Sequence, residues 1–515
     1  MIDQTIILPQ PPPSDHSDND MWLDERIWGH RLFEKQSAWL VFLECLTLAD
    51  ACHRDKKLLD HGTDYYPLHY RPQQRLYLRN ILFNNEMLFQ IAGRDHVSAS
   101  AWKEWLAWMA ENAKGVTPKD FSYLQSRFHS FADFAALVGM LRASAVESES
   151  NKRWSSRFVF PFGNEAIYED LAVSHQDGVS REYINFGRAG ELLYMMLARS
   201  SRAAQLIPMM TSALDGRNPW NTLLRLMQPE PPGETAWRGK SFLPYKAHPS
   251  FDRLAEDWLA IDRLKLPGFD AIPHLVTLST LGLLLYELEV ASDWANRARP
   301  HFVCEVVGPR KTLVREVSTQ NYQENQLLPE EALKQAIKSL EESSDWQEAL
   351  NDHGAFVKCK ALIMDQFRWP DDEDYVGAHE PAALLKEFRR QAFARHKKSV
   401  ANVLRAYGRD VGLVSKRGTN RLRYAPNDAL LKALILANVD RRMEFNEFLE
   451  RLCDRYGLIF GDKAGGKFLR KEDIDQSAFR TNARRLEQRL TSLGMLNRLS
   501  DACAYVKNPF GRSAE

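Results

Sequence analysis

Several sequence signatures of common enzymes and metal sites are missing from this chain of 515 residues. Its six cysteines include no CxxC pair, so the sequence predicts neither a zinc ribbon nor a disulfide framework. A GxxxxGK[ST] phosphate loop, a GxGxxG turn, an HExxH helix and a GxSxG elbow are also missing, which leaves ATP hydrolysis and the commonest hydrolase reactions without a sequence signal. We therefore expect no cofactor and favour a protein that is not an enzyme.

Neither an excess of one charge nor a membrane-length apolar run marks the chain. Lys plus Arg and Asp plus Glu number 68 each, so net charge alone predicts no nucleic-acid or membrane partner. The most apolar run, residues 275–291, is shorter than the roughly 20 residues that span a bilayer, and it ends with Glu287 and Glu289. It predicts a buried helix. Because the acidic, proline-rich N-terminus also lacks the features of a signal peptide, we expect a cytoplasmic protein with no membrane partner.

The apolar residues that are present recur every three or four positions through much of the chain, which predicts a mainly α-helical, multi-domain protein with small β elements. The stretch HFVCEVVGPRKTLVREVST is dense in β-branched residues and predicts a strand pair around Gly308 and Pro309. The predicted divisions are a disordered tail (1–23), a helical domain (24–144), a mainly helical middle domain with a small β element (155–380), a basic helical segment (386–423) and a C-terminal winged helix-turn-helix domain (424–515).

The stretch WGHRLFEKQSAWLVFLECL, residues 28–46, has two interpretations. On helices, Trp28, Trp39, Phe42 and Leu43 form part of a continuous apolar side, which predicts a pair of core helices. Tryptophan close to arginine is also typical of the hot spots of protein interfaces. We favour the core interpretation and keep a docking groove as the alternative.

The strongest functional signal is the basic segment, residues 386–423. It contains twelve Lys or Arg and two acids, a net charge of +10, so the rest of the chain carries −10. Cationic side chains that contact phosphates release condensed counterions and bind DNA in a salt-dependent manner. The aromatic residues Phe388, Phe393 and Tyr407 are spaced so that they face a core, and the alternative is a solvated helix face without a ligand. The candidate DNA contacts are Arg389, Arg390, Arg395, Lys397, Lys398, Arg405, Lys416, Arg417, Arg421 and Arg423.

Residues 424–515 contain three predicted helices followed by a predicted hairpin around residues 500–501, which is the order of a winged helix-turn-helix. In that fold the third helix enters the major groove of DNA and the wing touches the backbone. Arg480, Arg484 and Arg485 lie on roughly one side of the third helix, away from its apolar stripe, and complete the candidate set. Winged helices also dock proteins, and arginine faces can be merely solvated, so these alternatives stay open.

A divergent metal-dependent nuclease is an alternative from another class. Carboxylates and a lysine can hold Mg²⁺ and position the attacking water, and the nearest candidates are Asp293, Glu305 and Lys311. The pattern fits poorly, because Val307 stands where such a site needs its lysine. We assign no catalytic and no metal-binding residue.

Several stretches of the chain resemble proteins that are encoded in bacterial anti-phage defence operons. They are WGHRLFEKQSAWLVFLECL, RFVFPFGNEAIYEDL with GRAGELLYMMLARS, and RMEFNEFLERLCDRYG with LGMLNRLSDACAYVKNPF. The chain is similar to components of methylation-associated defence systems. This resemblance implies a multi-protein system with DNA-modifying and ATP-driven parts, and partners from the same operon, but it transfers no active-site residue.

Together these observations predict a non-enzymatic subunit that binds double-stranded DNA through the basic segment and the winged helix, while its front part docks other defence proteins. A nuclease effector and a protein-docking adaptor without nucleic-acid binding are the two alternatives.

Overall fold

The structure is a computed structural model, and it describes most of the chain. The described residues are 7–8, 23–29, 32, 36–60, 68–70, 75–94, 97–143, 164–166, 171–173, 179–181, 188–215, 217, 219–229, 239–308, 313–369, 377–416, 421–468, 476–500 and 503–511. Most of the predicted N-terminal tail, Lys311 and Arg417 lie outside them. Within that tail, the Leu8 amide donates to the Pro244 carbonyl over 2.7 Å, which holds this residue against the fold.

The described residues are mainly helical, as the sequence predicts. The helices are α1 (Leu23–Trp28), α2 (Ala38–Arg54), α3 (Leu76–Phe83), α4 (Met87–Ala92), α5 (Ser98–Asn112), α6 (Tyr123–Arg127), α7 (Phe131–Ala143), α8 (Ala189–Ala198), α9 (Ala203–Leu214), α10 (Pro219–Leu226), α11 (Pro249–Arg263), α12 (Gly268–Trp294), α13 (Leu313–Glu341), α14 (Ser344–Leu350), α15 (Ala355–Phe367), α16 (Pro381–His396), α17 (Val403–Asp410), α18 (Asp428–Asn438), α19 (Phe445–Tyr456), α20 (Asp462–Phe468) and α21 (Gln476–Ser492). Short 3₁₀ turns cover Asn164–Ala166 and Val400–Asn402.

The strands are short and form small separate sheets. They are β1 (Leu68–Tyr70), β2 (Leu171–Val173), β3 (Val179–Arg181), β4 (Gly239–Ser241), β5 (Phe302–Val303), β6 (Val414–Ser415), β7 (Arg423–Tyr424), β8 (Arg442–Glu444), β9 (Leu458–Ile459), β10 (Leu496–Arg498) and β11 (Ala504–Lys507). Antiparallel pairs join β1 to β4, β2 to β3 and β6 to β7, whereas β5 and β9 pair in parallel. Strand β11 lies between β10 and β8 in an antiparallel three-stranded sheet.

Two large apolar clusters organise these elements. One runs from α1 and α2 through α8, α11 and α12 to α18, α19 and the last hairpin, so residues near both ends of the chain share it. The other gathers α3 to α7 together with Leu224 and Met227 at the end of α10. The division of the chain into the domains named above stays a prediction.

Helix α12 lies at the centre of the larger cluster and packs against α2, α11, α13, α17 and α18. Its segment Asp270–Trp294 is, among the described residues, the one long and apolar enough to cross a membrane, but 94% of its most apolar window is buried inside the fold. The prediction of a buried helix is confirmed. Helix α12 holds α1 directly, because the Trp28 indole donates to the Glu287 main-chain carbonyl over 2.9 Å.

The described part of the stretch 28–46 belongs to the core. Trp28 is fully buried, Val41, Phe42 and Leu43 are buried on α2, and Trp39 is half-buried. Burying each such side chain contributes about 1.5–3 kcal/mol to folding. These side chains pack inside the protein, so the core interpretation is confirmed for the described residues.

The predicted strand pair around Gly308 and Pro309 is wrong in its second half. Residues 302–303 form β5, but α13 begins at Leu313 and continues for 29 residues. In the sequence LVREVSTQNY the buried residues Val314, Ser318 and Tyr322 recur every four positions, which fits one face of a helix. Tertiary packing along this face outweighs the β preference of the valines.

Candidate nucleic-acid interface

The basic segment folds into α16, a 3₁₀ turn, α17 and the β6–β7 pair, and its apolar side fixes its orientation. Phe388 and Tyr407 are buried and Phe393 is half-buried, which confirms that the aromatic residues face the core. Helix α16, the Val400–Asn402 turn, β7 and α21 all pack on α13. Helix α13 therefore supports both the basic segment and the predicted third helix of the C-terminal domain.

Polar contacts with the first two helices anchor the basic segment to the N-terminal part. The His396 Nδ1 atom lies 3.0 Å from Asp24 Oδ1, and Arg395 Nη2 lies 2.9 Å from Glu25 Oε1. The Asp410 carboxylate accepts from the main-chain amide of Ala38, the first residue of α2, over 3.0 Å. The segment is thus tied down at both helices, α16 and α17.

Six of the predicted contact residues are exposed and make no ion pair with another described residue. Exposed lysines and arginines that form no ion pair keep their charge available to an anion such as a phosphate. They are Lys397, Lys398, Arg405, Lys416, Arg421 and Arg484. The candidate set omits Arg409, which is exposed on α17 one helical turn after Arg405 and extends the same group. The i, i+4 spacing of these two arginines is the signal that marks it.

Four further predicted residues are engaged in ion pairs. Arg395 pairs with the buried carboxylate of Glu25, so it attaches α16 to α1. The remaining three are exposed, and because exposed pairs contribute only about 0–1 kcal/mol, a phosphate can compete for these arginines. These pairs join Arg389 to Glu341 at 3.5 Å, Arg390 to Glu387, and Arg480 to Asp462 at 2.9 Å.

The structure excludes Arg423 from an exposed DNA-binding surface. Its side chain is 2% exposed, and its Nε atom donates to Glu305, whose side chain is 3% exposed. A buried carboxylate needs a charged partner, and Arg423 supplies it. The same contact makes Glu305 unsuitable as the metal ligand of the alternative nuclease, while Lys311 lies outside the described residues.

Arg485 also differs from the prediction, because it turns inward. The residue is half-buried, and its guanidinium lies so close to Gly308 that a side chain there would collide with it at 2.7 Å. With a larger residue at position 308 the guanidinium would have to shift from this contact between α21 and the segment before α13. Arg484, the next residue towards the N-terminus, is exposed.

The C-terminal module, residues 424–511, runs in the order α18, β8, α19, β9, α20, α21, β10, β11. Asn427 accepts from the Leu430 amide and caps α18, while α19 ends at Gly457, which adopts a left-handed φ of 72°. The predicted hairpin is confirmed, since Leu496 pairs with Val506 and Arg498 with Ala504. The additional helix α20 makes α21 the fourth helix of the module instead of the predicted third, and the winged helix-turn-helix stays a prediction.

The buried side of α21 is fixed by one asparagine. Asn482 donates to the carbonyls of Cys304 and Phe460, each over 2.9 Å, and accepts from the Val306 amide over 2.7 Å. The opposite side of this helix is exposed and polar. Its exposed residues are Gln476, Ser477, Arg480, Thr481, Arg484, Gln488, Thr491 and Ser492. These side chains suit contacts to phosphates or base edges.

An arginine clamp locks the C-terminal module to α11 and α12. Arg253 binds the Glu289 carboxylate through two bonds of 2.9 Å, and Arg299 donates to the same carboxylate over 2.9 Å. Arg299 also donates to the last carbonyls of α19, Asp454 and Arg455, each over 2.7 Å. Burial raises the pKa of Glu289, but Arg253 and Arg299 outweigh it and hold that pKa below its ordinary value.

A second set of contacts strengthens this clamp. Arg455 donates to Asp257 over 2.7 Å and to Glu256 over 2.8 Å, and the Tyr456 hydroxyl donates to Asp257 over 2.6 Å. Burial raises the pKa of Asp257 above its ordinary value, although Arg455 and Tyr456 both act to lower it. The carboxylates of Glu289, Asp257 and Glu256 each pair with an arginine here, so the cluster is a structural junction.

The central charged residues near α8 also form structural contacts. Arg188 and Glu191 are fully buried and pair at 2.9 Å, and Tyr70 donates to Glu191 over 2.9 Å. Glu165 binds Arg75 and, at 3.2 Å, Arg225. Among the described residues, no three or more His, Cys, Asp and Glu side chains are grouped to hold a metal ion.

One comparison with known proteins gives a match. Residues 316–508 match the family model described as methylation-associated defense system protein MAD7. The matched region begins in α13 and ends after β11, so it includes the basic segment and the C-terminal module. The match confirms the resemblance to methylation-associated defence systems and supports a role in anti-phage defence. No curated protein and no solved structure matched the chain.

Proposed function

We propose that this component of a methylation-associated defence system is a non-enzymatic, cytoplasmic subunit that binds double-stranded DNA. The observation that carries the proposal is the set of six exposed cations without ion pairs, Lys397, Lys398, Arg405, Lys416, Arg421 and Arg484. Five of them belong to the basic segment and one to α21 of the C-terminal module. In this proposal the basic segment and α21, which both pack on α13, bind the same duplex.

The order of elements in the C-terminal module supports a winged helix. Helix, strand, helix, helix and hairpin follow one another, with β9 and α20 inserted before α21, and β8 joins the hairpin in one sheet. In our proposal α21 enters the major groove with its exposed side, where Arg484 lies between Thr481 and Gln488. The hairpin of β10 and β11 is the wing and touches the DNA backbone.

The proposed mechanism is electrostatic attachment followed by base reading. Each cation that neutralises a phosphate adds about 0.9 to the slope of log affinity against log salt concentration, so six contacts give a slope of about −5. Phosphate contacts position the protein without reading sequence. Any sequence preference then comes from α21. Since a defence system of this kind has several genes, we propose that the front part, which precedes α13, docks its protein partners.

The test is a titration of the whole protein with a short duplex at salt concentrations from about 50 to about 200 mM. We expect the triple variant Lys397→Ala, Lys398→Ala, Arg405→Ala to lower the magnitude of the salt slope by about 3. The matched control is Arg217→Ala, which removes an arginine whose side chain is 91% exposed in the front part. Equal slopes for wild type, triple variant and control would overturn the proposal.

The two alternatives predict different results in the same experiment. A protein-docking adaptor would give no duplex binding at any salt concentration. A nuclease would nick plasmid DNA with Mg²⁺ or Mn²⁺, and the proposal expects intact plasmid after incubation. If wild-type protein still nicks the plasmid after rigorous purification, the proposal of a non-enzymatic subunit is overturned in favour of a nuclease.

A further inference from the structure

A cavity of about 530 Å³ opens among α2, α9, α11 and α12, in the front part of the protein and outside the basic segment. Phe42 and Leu46 of α2, Trp258 and Ile261 of α11, and Leu275 of α12 contribute to its lining. Cavities that bind small molecules in proteins usually measure about 300–1,000 Å³ and are mostly apolar. Its volume and lining are those of a small-molecule site.

The aromatic part of the lining is rigid. The Trp258 indole donates to the Ser279 hydroxyl over 2.9 Å, which fixes the ring. The Phe42 ring lies beside it, with 5.6 Å between the ring centroids. Both residues are only 1% exposed, so the pair forms a fixed base of the cavity. The apolar contacts to a ligand come from more exposed residues of the lining, Met209, Leu266 and Ala271.

Helix α9 is the adaptable wall of the cavity. Met209 and Met210 line it, and methionine side chains follow the shape of an apolar partner more easily than branched ones. Pro208 lies inside the helix and lacks the amide that would bond to the preceding turn, which weakens the helix there. Since no residue of α9 is charged, a ligand that enters past it meets no charge on this side.

The two charged residues of the lining form an ion pair, so their charges compensate each other. They are Asp262 and Lys265, whose side chains are 31% and 59% exposed and pair at 2.9 Å. Their exposure places this pair towards the solvent side of the cavity. A charged ligand would have to break the pair or lose its own water without compensation. The lining therefore matches a neutral ligand.

We propose that this cavity binds an uncharged, predominantly apolar small molecule with one or two rings or a branched aliphatic body. A partner helix, about 10–12 Å wide with its side chains, is larger than a cavity of this volume can enclose. The residues that line the cavity are separate from the basic segment and from α21. This inference does not depend on the proposed function.

The test uses two fluorescent probes on the full chain. The neutral probe is N-phenyl-1-naphthylamine, and the anionic probe is 8-anilinonaphthalene-1-sulfonate, which carries the same rings plus a sulfonate. We expect saturable binding of one neutral probe per chain and at least tenfold weaker binding of the anionic one. Equal affinity for both probes, or binding without saturation, would overturn the proposal.

Two alanines of α9 provide a matched pair of variants. Ala213 is exposed and lines the cavity, whereas Ala204 is exposed on the same helix and does not line it. We expect Ala213→Trp to fill the cavity and weaken the neutral probe at least tenfold, while Ala204→Trp leaves its affinity unchanged. Ser212 lines the same side of the cavity. If thermal melting shows that Ala213→Trp is unfolded, Ser212→Trp is used in its place.

Two results would overturn the small-molecule assignment. One is the same probe affinity in wild type, Ala213→Trp and Ser212→Trp. The other is a pair of observations. The proteins encoded beside this one would displace the probe from wild type, and they would fail to bind the Ala213→Trp variant. That second result would assign the cavity to a side chain of a partner protein.

Discussion

The Asp410 carboxylate accepts a hydrogen bond from the main-chain amide of Ala38 over a distance of 3.0 Å. The two residues are 372 positions apart, and the contact caps the start of α2 with a side chain from α17. The neighbouring Ser37 makes no side-chain cap of its own. The helix that carries Phe42 into the core therefore depends on the basic segment for its cap.

The first prediction concerns this cap. Asp410→Ala leaves the Ala38 amide without its acceptor, and loss of a cap costs about 0.5–2 kcal/mol of the free energy of unfolding. Urea denaturation measures the change. Asp440→Ala, which removes an aspartate with a side chain 94% exposed, is the control and is expected to change stability by less than about 0.5 kcal/mol. Equal stability of both variants would show that α2 needs no cap from α17.

The second prediction concerns Glu287, which is fully buried in α12 with neither carboxylate oxygen hydrogen-bonded. Burial first, and then the charge of Asp24, raise the pKa of Glu287 well above its ordinary value of 4.5. The folded protein therefore holds this proton more tightly than the unfolded chain does, so wild type loses stability as the pH rises above 4.5.

Glu287→Gln removes this dependence because an amide does not ionise. We expect the variant to melt at a higher temperature than wild type at pH 7–8, with the difference shrinking towards zero as the pH falls below 4.5. Differential scanning calorimetry across this range measures it. A difference in melting temperature that is the same at every pH would contradict the raised pKa.

The third prediction separates Arg423 from the exposed arginines. Arg423→Ala leaves the buried Glu305 carboxylate without its partner, and breaking a buried pair in this way costs about 3–5 kcal/mol. Arg421→Ala, two positions earlier and exposed, is expected to change stability by less than about 0.5 kcal/mol. Chemical denaturation of the two variants compares them directly, and similar losses in both would refute the burial of Arg423.

The fourth prediction concerns the two proposed kinds of DNA contact, base reading by α21 and phosphate contact by the basic segment. If Arg484 reads a base in the major groove, Arg484→Ala reduces the discrimination between preferred and altered duplexes by about 1–3 kcal/mol. Lys397→Ala weakens binding to all duplexes equally, because a phosphate contact reads no sequence. Titrations with a set of duplexes at one salt concentration measure both. Uniform weakening by Arg484→Ala would remove α21 from base reading.

Patterns that repeat locally in the sequence predicted the helical class, the buried helix α12 and the last hairpin correctly. A helix formed by the apolar run 275–291 has no polar face to present to water, so it must be buried. The short β-prone pieces on either side of residues 500–501 can pair with each other. The strand predicted after Gly308 failed because Val314 and Ser318 lie on one buried face of α13. Val314 packs with Val303 and Phe479, and the Ser318 hydroxyl donates to the Tyr424 carbonyl.

The candidate site was predictable as a segment but not residue by residue. Nothing in the local sequence distinguishes Arg423 from Arg421, because the partner that buries Arg423, Glu305, is 118 positions away. The guanidinium of Arg485 likewise lies beside Gly308, which is in another part of the chain. Composition therefore identifies a cationic segment, whereas contacts distant in sequence decide which of its charges reach solvent.

The clamp of Arg253 and Arg299 on Glu289 attaches the C-terminal module to the central helices through charged contacts, in addition to the apolar cluster that they share. In the proposed function, a duplex bound to that module therefore lies against an element that is connected to α12 by ion pairs. A single carboxylate, Glu289, thus links an arginine of α11 to an arginine that also holds the end of α19.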